Sequence, residues 1–178
     1  MKTTFIATLC GLTFLMVACS CAAAKKINTL PVPTLDLQQY LGSWYEIARF
    51  DHCFERDMTN TTALYTLNTD GTVKVTNTGW RKGVKKTSVG KAKLTETPAL
   101  LRVSFFGPFY SDYRVLMLND DYTLALVGSK TDKYLWILSR TPAITQKDRS
   151  AVIAEAQRRG YDTADLIWVD QTENIRNF

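Results

Sequence analysis

Two side chains that could serve as nucleophile and base, Cys53 and His52, are adjacent in the sequence. On an extended strand neighbouring side chains point to opposite faces, so this pair would not meet without a bulge. Tyr113 and Glu46 add no recognisable acid–base pair, and one histidine in the whole chain is a poor basis for a zinc site. We therefore predict no catalytic residue, no metal ion and no cofactor.

Covalent lipidation is a second reaction that the sequence indicates, and it falls near the N-terminus. Lys2 is followed by an apolar run at residues 5–18, which is shorter than the ~20 residues of a membrane-spanning helix. The run ends at Met16-Val17-Ala18-Cys19, which resembles a bacterial lipobox with methionine where leucine is usual. We predict a lipoprotein signal peptide at residues 1–18. Cleavage of an ordinary signal peptide near residues 22–24 is the alternative.

Lipidation would make Cys19 the first residue of the mature chain. Residues 19–34 would then form a lipidated N-terminus and tether, with Cys21 beside the anchor. Cys53 lies in the part of the chain that folds, and the cysteine spacing does not indicate a disulfide framework. We expect Cys53 to carry a free thiol, while the sequence leaves a bridge to Cys21 open.

The amount and position of the positive charge indicate whether the chain binds nucleic acid. The 178 residues suffice for one domain plus a leader, and their formal net charge is +5. The densest basic cluster, at residues 81–86, has no helix-turn-helix, zinc-finger or RNA-stacking motif beside it. The cluster is typical of a solvated hairpin tip that contacts anionic lipid headgroups. We therefore predict no nucleic-acid partner.

Short segments that alternate apolar and polar residues fill most of the chain after Gly42, which allows a sharp turn into the first of them. Turn residues such as Asn68-Thr69-Asp70-Gly71 separate the segments. The eight predicted antiparallel strands lie at residues 42–50, 61–67, 72–80, 87–94, 100–106, 110–118, 123–128 and 133–140. This pattern predicts an all-β fold, either a barrel or a sandwich.

One segment after the eighth strand has a helical pattern. Thr145 and Asp148 nearly match a capping box, and Gly160 stands where a helix-terminating glycine belongs. The apolar residues 166–169 then predict a short final strand. One helix and one strand after eight strands make a distinctive ending.

In this order the elements resemble the lipocalin family, specifically its bacterial outer-membrane branch related to apolipoprotein D. Gly42-Ser43-Trp44-Tyr45 resembles the first lipocalin motif. The turn Asn119-Asp120-Asp121-Tyr122 resembles the second, with aspartate where threonine is common. Arg140, within Leu138-Ser139-Arg140-Thr141-Pro142, matches the third. The resemblance covers residues 35–172.

The resemblance implies an eight-stranded antiparallel up-and-down barrel, the lipocalin calyx, over residues 35–178, with one C-terminal α-helix and a short final strand. In the family the motif arginine stacks over the motif tryptophan and closes the barrel floor. That role falls here on Arg140 and Trp44. Gly42, Asp121 and Tyr122 complete the structural motif residues.

The residues that line the barrel follow from strand alternation once Trp44 and Arg140 are taken to face inward. The predicted ligand-binding residues are Ala48, Phe50, Tyr65, Val75, Val103, Phe105, Tyr113, Met117, Tyr134, Trp136 and Leu138. We expect Trp136 at mid-depth and the hydroxyl of Tyr113 near a ligand head group at the mouth. Such an apolar and aromatic lining favours an acyl chain over a sugar or an ion.

The function that these inferences predict is the holding or transport of a small hydrophobic ligand, a fatty acid or a lysophospholipid, in envelope maintenance or storage. The protein would be lipid-anchored in a bacterial outer membrane and face the periplasm. A lipocalin-fold enzyme of isomerase type and a purely structural envelope lipoprotein are the alternatives. The sequence leaves a homodimer open.

Overall fold

Alternating residues build antiparallel strands that curl into a barrel in the computed structural model, which describes residues 27–178. Cys19, Cys21 and the predicted signal peptide lie outside the described residues. The strands are β1 (Gly42–Arg49), β2 (Thr59–Leu67), β3 (Val73–Arg81), β4 (Val84–Leu94), β5 (Leu100–Phe106), β6 (Phe109–Leu118), β7 (Leu124–Gly128), β8 (Leu135–Ser139) and β9 (Ile167–Trp168). The α-helices are α1 (Leu37–Tyr40), α2 (Gln146–Arg158) and α3 (Thr172–Arg176).

The barrel closes because β1 pairs with strands on both of its sides. Its first half pairs with β2, and its second half pairs with β8. The other strands follow in chain order from β2 to β8, and β9 pairs with the end of β1. The predicted eight-stranded up-and-down barrel, its C-terminal helix and its final strand are confirmed. The strand bounds differ from the predicted ones by at most three residues.

The two ends of the barrel are built differently. Because β1 starts directly after α1 and neighbouring strands run in opposite directions, α1, the β6–β7 turn and the end of β8 share one end, which we call the floor. The opposite end, which we call the mouth, carries the loop 50–58, the β3–β4 tip 82–83, the β5–β6 tip 107–108 and the loop 129–134. The strand directions therefore separate a floor that is sealed by a helix from a mouth that is made of loops.

Two apolar cores result from this arrangement. The first lies inside the barrel at the floor, around Trp44, and includes buried Leu101 and Val115. The second lies outside the barrel, where Val152 and Ala156 of α2 pack against strands β1, β7 and β8. Both faces of these strands are thus buried, which explains the nearly continuous burial of β7 and β8.

Helix α2 begins and ends where the sequence indicates. The hydroxyl of Thr145 accepts a hydrogen bond from the backbone N–H of Asp148 at 3.1 Å. Gly160 follows the helix with φ of +97°, a value that residues with a side chain rarely adopt.

Two β-bulges overturn part of the predicted lining. Between Glu46 and Ala48 the register of β1 against β8 shifts by one residue, and between Val115 and Met117 β6 shifts against β7. A bulge places two consecutive side chains on one face, so the alternation reverses beyond it. Ala48, Phe50 and Met117 therefore face the core beneath α2, and their predicted place in the cavity is wrong.

The segment before α1 is fixed along the outside of the barrel. The backbone N–H of Asn28 donates to the carbonyl of Arg159 at 2.7 Å, and the guanidinium of Arg159 donates back to the carbonyl of Asn28. Further along, the N–H of Val32 donates to the carbonyl of Val115 at 2.8 Å. The tether predicted at residues 19–34 is thus bound to the barrel in its second half.

Candidate ligand-binding site

A cavity of about 540 Å³ lies inside the barrel and extends to the mouth. Most of its lining is apolar or aromatic. Eight of the eleven predicted residues line it, namely Tyr65, Val75, Val103, Phe105, Tyr113, Tyr134, Trp136 and Leu138. That they contact a ligand stays a prediction.

The floor is sealed by one arginine. The Arg140 guanidinium carbon lies 3.9 Å from the centre of the Trp44 ring, and the indole N–H donates to the carbonyl of Tyr40 at 2.9 Å. The same guanidinium donates to five backbone carbonyls, those of Gln39, Tyr40, Leu41, Ser43 and Tyr122. Arg140 thus ties α1, the start of β1 and the β6–β7 turn together.

The remaining motif residues adopt the backbone that this seal needs. Gly42 has φ of +94°, and a Cβ there would lie 3.4 Å from the Nη1 atom of Arg140. Tyr122 has φ of +54°, and its hydroxyl accepts a hydrogen bond from the N–H of Asp36 at 2.9 Å. Asp121 is exposed in the turn, which is closed instead by the side chain of Asn119.

Three tyrosine hydroxyls form a polar group above the floor. The hydroxyl oxygen of Tyr113 lies 2.6 Å from that of Tyr40 and 2.8 Å from that of Tyr65. Burial raises the pKa of all three phenols, so they stay neutral. Because β6 runs from the mouth to the floor, Tyr113 lies deep in the barrel, and its predicted place at the mouth is wrong.

A buried cluster of ionisable side chains occupies the wall between β1 and the loop 50–58. It consists of Glu46, Arg49, His52 and Glu55. Arg49 Nη1 donates to Glu46 Oε1 at 2.6 Å, and His52 Nε2 lies 2.9 Å from Glu55 Oε2. Trp136 joins the cluster, since its indole N–H donates to Glu55 Oε2 at 3.1 Å. Glu46, His52 and Glu55 all line the cavity.

The pKa values of the two carboxyl groups in the cluster are shifted in opposite directions. Burial and the charge of Glu55 raise the pKa of Glu46 to about 8, against the opposing effect of Arg49. Burial also acts to raise the pKa of Glu55, but the hydrogen bond and charge of His52 outweigh it and hold that pKa below its ordinary value. At neutral pH Glu46 therefore keeps its proton and Glu55 is ionised, as expected when two carboxyl groups share one site.

Sequence reasoning left this cluster out of the lining, although one signal for it was present. Glu46 lies two residues after Trp44, so strand alternation already places its carboxyl group inside the barrel. Glu55 and His52 had no such signal, because they reach the cavity through the fold of a loop.

The loop 50–58 folds over the mouth and is held there on two sides. Arg49 donates to the carbonyls of Glu55 and Met58, and Arg81 Nη2 donates to the carbonyl of Phe54 at 2.9 Å. The loop also separates the side chains of His52 and Cys53. His52 lines the cavity, while Cys53 carries an exposed free thiol.

Residues 27–178 contain neither a candidate metal site nor a helix that could span a membrane. No group of three or more His, Cys, Asp or Glu side chains in that part of the chain could hold a metal ion. Within the same residues, no helix is both long and apolar enough to cross a membrane.

Comparison with known sequences identifies close relatives. A family described as lipocalin-like domain matches residues 35–171. The chain is 47% identical to the outer membrane lipoprotein Blc of Escherichia coli K12 over 162 residues, which cover 89% of this chain and 91% of that protein. It is 48% identical to the outer membrane lipoprotein Blc of Citrobacter freundii, with the same coverage. It is 36% identical to temperature-induced lipocalin-1 of Arabidopsis thaliana, covering 80% of this chain and 82% of that one.

Solved structures share the fold at low sequence identity. Insecticyanin from the tobacco hornworm superposes with a TM-score of 0.68 at 23% identity, over 82% of this chain and 86% of that one. The cockroach allergen Per a 4 superposes with a TM-score of 0.67 at 23% identity, over 86% of this chain and 99% of that one. These similarities concern the architecture of the barrel.

Proposed function

Since this chain belongs to the lipocalin-like domain family, we propose that its barrel holds a single-chain amphiphile, a fatty acid or a lysophospholipid. The observation that carries the proposal is the cavity that runs from the mouth to the tyrosine group above the floor. Its volume of about 540 Å³ falls in the range of small-molecule sites, roughly 300–1,000 Å³. A mostly apolar cavity that is open at the mouth fits an acyl chain better than a sugar or an ion.

The amphiphile would lie with its tail toward the floor. Val75, Val103 and Leu138 offer apolar contacts along the cavity, and each buried methylene group contributes about 0.8 kcal/mol before the costs of binding. Arg81 and Lys86 line the cavity near the mouth and carry the charge opposite to that of a carboxylate or phosphate head. In this orientation the apolar tail contacts apolar side chains, and the anionic head group lies near the two cations.

We also propose where in the cell the protein is located. Relatives of 43–48% identity are named outer membrane lipoproteins, and Met16-Val17-Ala18-Cys19 supplies the residue that an acyl anchor needs. We place the protein in a bacterial outer membrane, anchored through acylated Cys19 and facing the periplasm, with a role in lipid transport or storage for the envelope.

Amphiphile binding is tested by titrating delipidated protein with palmitate and with a lysophospholipid in a calorimeter. Trp136→Ala removes a ring that lines the cavity and stacks on Tyr134 at a centroid distance of 5.8 Å. We expect its affinity to fall about tenfold, which corresponds to about 1.4 kcal/mol. Trp80→Ala is the matched control, because Trp80 is 41% exposed and lies outside the lining.

Each outcome of this titration has a distinct meaning. Saturable binding that Trp136→Ala weakens and Trp80→Ala leaves unchanged supports the proposal. Absence of binding to any amphiphile would leave the structural envelope lipoprotein as the better interpretation. Recovery of a chemically altered ligand by mass spectrometry would favour the isomerase-type alternative.

The anchor is tested by Cys19→Ser. We expect this variant to lose the acyl mass and to leave the membrane fraction for the soluble periplasmic fraction, because two or more acyl chains are what makes such anchoring stable. Cys21→Ser is the control and should stay in the membrane. A wild-type protein without lipid mass whose N-terminus begins at residue 22 or later would contradict the lipidation of Cys19.

A further inference from the structure

We propose that the mouth of the barrel is a docking surface for an anionic lipid bilayer. The first observation is a cluster of exposed aromatic rings. Phe54 is 62% exposed, Phe106 68% and Phe109 79%. Exposed apolar side chains are ordinary when they are scattered, but here three of the largest kind stand together at one end of the barrel.

The second observation is the positive charge beside these rings. The β3–β4 hairpin contributes Arg81, Lys82, Lys85 and Lys86 to the same end. None of the four forms a salt bridge with a carboxylate of residues 27–178. Their charges are therefore available to an external anion.

Two of the three acidic residues in the loop 50–58 are already paired. Asp51 is bound by Arg56 at 2.6 Å, and Glu55 is turned inward onto His52 at 2.9 Å. Asp57, the third, is exposed and forms no salt bridge within the part of the chain that the structure describes, so it offsets at most one of the four hairpin charges and leaves the surface cationic. Polybasic surfaces of this kind attract anionic leaflets.

Contacts between the loops make the rings and cations one preformed surface. The Phe54 and Phe106 rings lie 6.1 Å apart, and Arg81 Nη2 holds the carbonyl of Phe54 at 2.9 Å. The docking surface therefore consists of the loop 50–58, the β3–β4 tip and the β5–β6 tip.

A bilayer matches this composition better than a second copy of the chain does. A symmetric dimer through the mouth would bring the same patch of each copy together, and so would bring the cations of one hairpin toward those of the other. At a membrane interface the aromatic rings enter the boundary between headgroups and acyl chains, while lysines contact phosphates. The pairing of apolar rings with unpaired cations therefore identifies an anionic interface as the occupant.

Docking in this orientation places the cavity opening against the lipid. Phe54, Phe106, Phe109 and Arg81 belong both to the docking surface and to the cavity lining. An amphiphile could then pass between bilayer and barrel without crossing bulk water. The docking itself does not depend on what the cavity holds, so it can be measured in the absence of any ligand.

The test is flotation of the mature chain, residues 19–178, on vesicles of phosphatidylglycerol and phosphatidylcholine, compared with phosphatidylcholine alone. All proteins carry Cys19→Ser, so that an acyl anchor does not hide the contribution of the mouth. We compare Phe106→Ser/Phe109→Ser and Lys82→Glu/Lys85→Glu with the control Lys74→Glu/Lys147→Glu. The control makes the same change of net charge near the floor, where both lysines are exposed.

We expect the partition coefficient on anionic vesicles to fall about tenfold or more in both mouth variants and to stay unchanged in the control. Binding by the unmodified mouth should also weaken as salt is added, because the charges are exposed. Mouth variants that float like the control would overturn the proposal. Failure of the protein with an unmodified mouth to bind anionic vesicles would overturn it as well. Sedimentation that shows a dimer broken by Phe106→Ser/Phe109→Ser, with flotation unaffected, would assign the rings to a second copy instead.

Two further measurements keep these outcomes separate from folding and from ligand binding. The substituted side chains are exposed, so we expect the melting temperature of each variant to match that of the control. Palmitate affinity without vesicles should be unchanged in Lys82→Glu/Lys85→Glu, because neither lysine lines the cavity. Loss of flotation with palmitate affinity retained would thus report on docking alone.

Discussion

Arg140→Ala is expected to lower the free energy of unfolding by about 3 kcal/mol and the melting temperature by about 10 °C. The substitution removes the donor of five backbone carbonyls and opens the face of Trp44. Water can reach only part of this site, so several of the carbonyls lose a charged partner without full replacement. Urea unfolding followed by circular dichroism measures the change.

A second stacked arginine separates the two contributions of Arg140. Arg149 lies 3.6 Å over the ring of Trp168 on the outside of the barrel. Arg149→Ala therefore removes a similar stacking contact without taking a donor from the floor, and we expect it to cost about 1 kcal/mol or less. Similar losses in Arg140→Ala and Arg149→Ala would show that the carbonyl contacts at the floor contribute little.

Raising the pH from 5 to 9 is expected to lower the free energy of unfolding by about 4 kcal/mol through Glu46 alone, since one pKa unit corresponds to about 1.4 kcal/mol and the raised pKa spans about three units of this pH range. Burial and the charge of Glu55 raise the pKa of Glu46 from 4.5 to about 8 in the folded protein. Between these two values the folded protein keeps a proton that the unfolded chain has lost. Stability from this group is therefore present at low pH and is lost as the pH rises through about 8.

Glu55 acts in the opposite direction and at lower pH. His52 and the Trp136 indole help to hold its pKa below the ordinary value, so its contribution is present above pH 4.5 and is lost on further acidification. The comparison that isolates Glu46 is Glu46→Gln, which keeps the shape of the side chain but cannot titrate. Urea unfolding at several pH values should show a smaller decrease between pH 5 and 9 in the variant. Equal decreases in the two proteins would contradict a protonated Glu46.

The parts of the fold that the sequence predicts are those with a local signal. Strand alternation, turn residues and the Thr145 cap placed the nine strands and α2 within a few residues of their observed bounds, whereas α1 and α3 were not predicted. The floor could be predicted because a tryptophan and an arginine with a known pairing in a family fix the inward face of two strands. From β8 that face extends correctly to Trp136 and Leu138.

The errors begin where a long-range packing requirement changes a local rule. The bulges near Ile47 and Leu116 turn extra apolar residues toward α2, and no residue type in the sequence marks them. The loop 50–58 is likewise fixed by distant partners. The positions of His52 and Glu55 in the cavity lining therefore could not be predicted from the residues of the loop alone. Alternation predicts which face a residue takes only as far as the next bulge.

The attachment of the N-terminal segment along the barrel wall has a mechanical consequence. A protein that is tethered at one end transmits any pull on the tether to the first contacts it meets. Here those contacts are the hydrogen bonds of Asn28 with Arg159 and of Val32 with Val115, which lie before α1 and β1 in the chain. A lateral pull from a moving membrane would strain these bonds first and would reach the Trp44 seal only after they yield. With the proposed anchor at Cys19, the segment would therefore carry such a load before the cavity does.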